Sequence, residues 1–96
     1  MTWRSLAVAA LLAAAPAMAN TPVELLAGGC QGCHGVAGAG ANGIPMIMRA
    51  QTREDFIATM RAFRDNQREA TVMGRIARGY TDAEIAALAA HFARQP

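Results

Sequence analysis

The stretch "GGCQGCHG", residues 28–35, holds both cysteines of the chain, Cys30 and Cys33, with His34 directly after the second. On a helical turn, positions three apart share a face, so both thiols can reach one edge of a flat group lying on that face. The following residue carries an imidazole beneath the same group. C-x-x-C-H is the spacing that attachment of a c-type haem requires: two thioether bonds to the vinyl substituents and a histidine nitrogen for the iron.

Other chemistries use parts of this pattern. A thioredoxin-like redox pair needs C-x-x-C in a βαβ setting, and no strand pattern accompanies it here. A zinc site needs two further ligands, and the other strong donor, His91, lies far along the chain. A structural disulfide would not require His34, and a bond between Cys30 and Cys33 closes too small a loop to constrain the chain much.

The flanking sequence agrees with a cofactor-filled interior. Residues 1–19, "MTWRSLAVAALLAAAPAMA", place Arg4 before an apolar run and end on the small-x-small box Ala17-Met18-Ala19, the form of a secretory signal peptide. The run is broken by Pro16 and falls short of the roughly 20 apolar residues of a membrane span, so no stable span is expected after cleavage. Residues 20–96 are expected to form one domain. A domain of that size buries little core and leans on a disulfide, metal or cofactor for stability. Beyond the leader the aromatic residues are Phe56, Phe63, Tyr80 and Phe92, few large side chains for a core.

Charge excludes one class of partner. The chain has nine basic residues, all arginine, against seven acids, for a formal net charge of +2. Beyond the leader the arginines are spread from Arg49 to Arg94 rather than gathered with aromatics into a stripe, which argues against a nucleic-acid groove.

Three segments carry helix signals, and the domain is expected to be all-α. Thr21-Pro22-Val23-Glu24 reads as a capping box opening a helix from about Pro22 to Gly32. Thr52-Arg53-Glu54-Asp55 opens a second, with Phe56, Ile57, Met60 and Phe63 at helical spacing, fading around Asp65 to Arg68. Thr81-Asp82-Ala83-Glu84 opens a third, to about Arg94, with Ile85, Leu88, Ala89 and Phe92 on one face. The glycine-rich segment 35–47 is expected to be loop, and Arg75 to Arg78 a short helical turn. Gly28 and Gly29 cost roughly 1 kcal/mol each in a helix, which points either to close packing, for instance by Phe92, or to a frayed helix end.

Iron has a sixth position, and a methionine thioether is the usual partner of histidine in electron carriers. The candidates are Met46, Met48, Met60 and Met73. Met60 falls on an apolar helix face and suits core filling. Met73, read as non-helical and followed by Gly74, is best placed by position, with Met48 next; His91 would make a bis-histidine site.

Two blocks, "LAGGCQGCHG" with the downstream "GIP", and "RAFRDNQREATVMGRIARGYTDAEIAALAAHFA", resemble class I c-type cytochromes, and among them the small haem subunits of flavocytochrome c sulfide dehydrogenases. The resemblance implies a cytochrome c-like fold, three main helices wrapped around one covalent haem c. It implies thioether bonds at Cys30 and Cys33, proximal ligation by His34, distal ligation by Met73, and a Pro45 carbonyl that accepts the hydrogen bond of His34 Nδ1. It further implies a periplasmic one-electron carrier that transforms no substrate itself and works with a redox partner, a flavoprotein sulfide dehydrogenase subunit in the first reading. The alternatives are a free shuttle between respiratory complexes and a haem ligand-binding or peroxidase protein. One departure stands out: where similar proteins often have glycine after the "GIPxIx" stretch, this chain has Arg49, a residue able to pair with a haem propionate.

Overall fold

The computed structural model describes residues 21–95; the expected signal peptide, residues 1–19, lies outside the described residues. Four helices follow in order, α1 (Val23–His34), α2 (Arg53–Arg64), α3 (Met73–Ala77) and α4 (Asp82–Phe92), with a 3₁₀ turn at Val36–Gly38 after α1. The expected all-α class is found. Among the described residues the sole extended pairing is an isolated bridge between Ala41 and Ile44.

Local chemistry explains most of the boundaries. Thr52 caps α2, its hydroxyl accepting the Asp55 N–H at 3.1 Å. Thr81 and Glu84 form both halves of the capping box of α4: the Thr81 hydroxyl accepts the Glu84 N–H at 3.1 Å, and the Glu84 carboxylate accepts the Thr81 N–H at 2.9 Å. The box expected at Thr21 does not form. Pro22 takes the cap position with no side-chain bond, and its carbonyl accepts from Leu25 and Leu26 at 2.9 and 3.3 Å. Proline carries no N–H and here adopts an extended ψ of 136°, so the helix begins one residue later than the hydroxyl pattern suggests.

Helix ends shift with backbone hydrogen bonds, some local and some to distant segments. Helix α1 runs past Gly32 to His34 and stops at Gly35 (φ +85°), where a Cβ would lie 2.6 Å from the Gly40 carbonyl oxygen. Helix α2 closes at Arg64. Helix α3 begins at Met73, two residues before the expected turn, because the Val72 carbonyl accepts from both Arg75 and Ile76. Met73 is therefore the first helical residue there, not a loop residue. Helix α4 ends at Phe92 rather than Arg94, since Ala93 turns extended and the Arg94 N–H bonds the Gln51 carbonyl at 2.8 Å.

The core lies where α4 crosses α1 and α2. Ile85, Leu88, Ala89 and Phe92, the face expected from spacing, are buried together with Ala27 of α1, Phe56 and Met60 of α2 and Ala77 of α3. The Phe56 and Phe92 rings stack at 6.2 Å between centroids, 19° from parallel. Burying a side chain the size of Phe92 contributes about 1.5–3 kcal/mol. Phe92 does not pack on Gly28 or Gly29 as one reading had it. Its ring lies against Gly38, while the Tyr80 hydroxyl lies against Gly29 and open space surrounds the Cβ position of Gly28.

An exposed ion pair joins α2 to the start of α4. Asp82 accepts from Arg64 at 2.7 Å and faces Arg61 at 3.5 Å. The hydrogen bond from Arg64, then its charge and that of Arg61, hold the Asp82 carboxyl below its usual range.

Two outcomes are expected. Gly38 has φ +76°, and a Cβ there would meet Ile47 Cγ1 at 2.8 Å and the Phe92 ring at 3.0 Å. Gly38→Ala should cost about 1–3 kcal/mol by overpacking, read from denaturant midpoints. Because the Asp82 carboxyl is depressed on folding, its stabilisation is present above the unfolded-state value of 3.8 and is lost as pH falls through the lower folded value. Asp82→Asn should remove that acid-limb loss, so thermal midpoints of variant and parent converge as the pH is lowered.

Candidate haem site

Helix α1 ends by delivering three side chains to one cavity. Cys30, Cys33 and His34 line a space of about 430 Å³ whose wall is completed by the Ile44–Ile47 loop, by Phe56, Met60 and Phe63 of α2, and by Val72, Met73 and Ile76 around α3. That volume falls within the range of small-molecule and cofactor pockets, roughly 300–1,000 Å³. Both thiols are free, Cys30 half-buried and Cys33 exposed.

His34 is 9% exposed, and its Nδ1 lies 2.6 Å from the Pro45 carbonyl oxygen. A carbonyl only accepts, so Nδ1 carries the proton and donates it, which leaves the lone pair on Nε2. The loop that brings Pro45 to this position is tied down twice. Ile47 and Met48 donate to the Gly38 carbonyl at 2.9 and 3.0 Å, and Arg49 donates to the Phe92 carbonyl at 2.6 Å. The C-terminal end of α4 thereby fixes the carbonyl that orients an imidazole on α1.

Burial pushes the Cys30 thiol up, an effect opposed by a hydrogen bond with the Tyr80 hydroxyl. Tyr80 is raised in turn, first by burial and then by Cys30. Gly29 is bare where this phenol passes, since a Cβ there would come within 3.3 Å of the hydroxyl oxygen.

The methionines separate by position. Met46, Met60 and Met73 line the cavity and Met48 does not. Met46 follows Pro45 and is 51% exposed, whereas Met60 is buried in the α2 face. Met73 is half-buried against the core at the start of α3. His91 lies outside the cavity lining, its ring edge-on to Phe92 at 4.8 Å.

The arginine expectation is redirected. Arg49 does not line the cavity; it holds φ +56°, a left-handed conformation that explains why similar proteins favour glycine there. Arg68 does line it, its guanidinium 5.1 Å above the Phe63 ring. Sequence reading missed Arg68, as it missed the hydrogen-bonded pair Gln51 and Thr59 in the same wall; no local motif marks any of the three.

Two thiols at one end, an imidazole with a free lone pair, a thioether and apolar walls fit an iron porphyrin bound covalently. These features define a helical haem-binding electron-transfer domain. Residues 23–94 match the Cytochrome c family, and the chain belongs to it. It is 39% identical over 69 residues to the cytochrome subunit of sulfide dehydrogenase of Chlorobaculum tepidum, a match spanning 72% of this chain and 62% of that protein. It is 34% identical over 71 residues to cytochrome c-554(548) of Halomonas halodenitrificans, spanning 71% of this chain and 86% of that protein. The chain carries covalent haem c and acts as a mono-haem electron carrier. No helix among the described residues is long and apolar enough to cross a membrane.

Met60, packed in the α2 face, is expected to act as core filling. Met60→Leu should keep the absorption spectrum of the haem-loaded protein unchanged and cost less than about 1.5 kcal/mol in denaturant unfolding, as volume-conserving core changes do.

Proposed function

We propose that the chain is an exported, periplasmic one-electron carrier and serves as the electron-accepting haem subunit of a sulfide-oxidising flavocytochrome c. In this reading Cys30 and Cys33 form the thioethers, His34 is the proximal ligand and Met73 the distal one. The observation that carries the site assignment is the convergence of these four residues on one cavity, with His34 Nδ1 spent on Pro45. The partner assignment rests on the likeness to a cytochrome subunit of sulfide dehydrogenase, and the export assignment on the leader-like residues 1–19.

The bound haem supplies a one-electron iron couple. The chain's own contribution is to hold and tune it. The Pro45 carbonyl orients the His34 ring and fixes its tautomer. Apolar walls from α2 and α3 would shield the group on that side, and a thioether ligand from Met73 would favour the reduced state relative to a second histidine. Since α1, the Pro45 loop and α4 are bonded to one another, His34 would keep its position while the charge changes, and the chain itself would transform no substrate.

A free shuttle between respiratory complexes is the second reading, favoured by the fuller coverage of cytochrome c-554(548). Reduction of the purified protein by sulfide only when a flavoprotein is added supports the subunit reading; failure of both that reduction and co-elution with a flavoprotein supports the shuttle. A ligand-binding or peroxidase role predicts instead a high-spin spectrum and rapid carbon monoxide binding by the parent protein.

Met73→Ala should abolish the weak far-red charge-transfer band of methionine bound to ferric haem and open the iron to carbon monoxide. A band that survives this change and disappears in Met48→Ala would overturn the distal assignment.

A further inference from the structure

The chain has three asparagines, each with a different follower: Asn20-Thr21, Asn42-Gly43 and Asn66-Gln67. An asparagine amide is chemically fragile where the next backbone nitrogen can reach it. A side chain on the following residue obstructs that approach, and glycine has none. Asn66 shares the left-handed conformation of Asn42, with φ +57° against +49°, but its neighbour's nitrogen is occupied, the Gln67 N–H donating to the Ala62 carbonyl at 2.8 Å. The Gly43 N–H meets no protein acceptor among the described residues. Asn42 and Gly43 are both exposed, and a Cβ placed on Gly43 would find nothing within 4 Å.

These two residues form the tip of a tight hairpin. Both have positive φ, +49° and +81°, as the central residues of a type I′ turn do. Two backbone bonds close it: Ile44 N–H donates to the Ala41 carbonyl at 2.8 Å, and Ala41 N–H to the Ile44 carbonyl at 3.2 Å. The hairpin stands between two contacts with His34. Before it, the Gly40 N–H donates to the His34 backbone carbonyl; after it, the Pro45 carbonyl accepts from the His34 ring at 2.6 Å. The length of backbone between Gly40 and Pro45 therefore sets where the imidazole is held.

We propose that Asn42-Gly43 is a site of spontaneous deamidation and isomerisation, and that the iso-aspartyl product displaces the Pro45 carbonyl from His34. The Gly43 amide nitrogen attacks Asn42 Cγ. A new N–Cγ bond closes a five-membered succinimide as the Cγ–Nδ2 bond breaks, and ammonia leaves with the proton from the Gly43 nitrogen. Water then opens the ring at either carbonyl. One opening gives aspartate; the other gives iso-aspartate, whose main chain runs through Cγ and is longer by one methylene. No atom is oxidised or reduced. The turn bonds oppose the rotation that joins the two atoms, so the reaction proceeds from the locally opened hairpin, an exposed unit held by an isolated bridge. The effect on the imidazole rests on the reading of His34 as proximal ligand; the modification itself does not.

The experiment ages haem-loaded protein in mildly alkaline buffer, where the attacking nitrogen loses its proton more readily. Asn42→Gly is aged beside it, since glycine suits the positive φ and carries no amide. Peptide mass spectra locate the mass gained on exchanging NH2 for OH, and labelling by an iso-aspartyl methyltransferase identifies the isomer. A synthetic peptide of residues 39–46 supplies the unprotected rate. Iso-aspartate is expected at position 42 of the parent before any appears at 20 or 66. The His34 ring resonances should shift in proportion to it, and neither change should occur in Asn42→Gly. A wrong ligand reading shows itself separately, as a fresh, unaged protein without the low-spin spectrum of histidine-bound haem. Asn42 that stays intact in the protein after the peptide has converted overturns the site, and iso-aspartate that accumulates with the His34 resonances unmoved overturns its effect on the ligand.

Discussion

Four of the nine buried core residues are alanines, and beside them lies a cavity of about 430 Å³. Apolar walls of that extent gain dispersion contacts and shielding from water when a group packs against them. A large apolar group packed there supplies both, and covalent haem c is such a group. Cofactor binding therefore adds to stability: a ligand that occupies the native state and not the unfolded chain contributes its binding free energy.

The geometry of the site depends on a part of the chain remote from the haem motif. His34 is aimed by the Pro45 carbonyl, Pro45 is held by a loop bonded to Gly38, and that loop is bonded to the carbonyl of Phe92 at the end of α4. The Phe92 ring packs on Gly38 and stacks on Phe56. One aromatic residue near the C-terminus thus braces the loop on the imidazole side and the helix that walls the ring cavity. Such bracing suits electron transfer, in which ligands that keep their positions through the redox change need little rearrangement.

The electrostatics divide in the same way. The Arg64–Asp82 pair, its carboxylate 64% exposed, joins α2 to α4 on the outside, where solvent screening keeps its contribution small. Inside, the polar groups are single and directional: an imidazole donating to one carbonyl, a phenol against one thiol, an amide on one hydroxyl. Their role is to orient neighbours, and the binding energy of the interior comes from apolar contact.

Much of this was legible in one dimension. The C-x-x-C-H stretch specified two thiols and an imidazole at one helix end, because three residues make close to one turn. Threonine with a glutamate three residues on marked the start of α4, and the spacing of Ile85, Leu88, Ala89 and Phe92 marked its buried face, since these are properties of a single helix. The all-α class followed from the same periodicities. What the tertiary structure decided were relations between segments: that Phe92 meets Gly38 and Tyr80 meets Gly29, that α4 stops where Arg94 bonds Gln51, that Arg68 rather than Arg49 reaches the cavity, and that Gln51 finds Thr59. Each depends on where a distant carbonyl, ring or hydroxyl comes to rest, and chain-local propensity carries no information about the position of a partner many residues away.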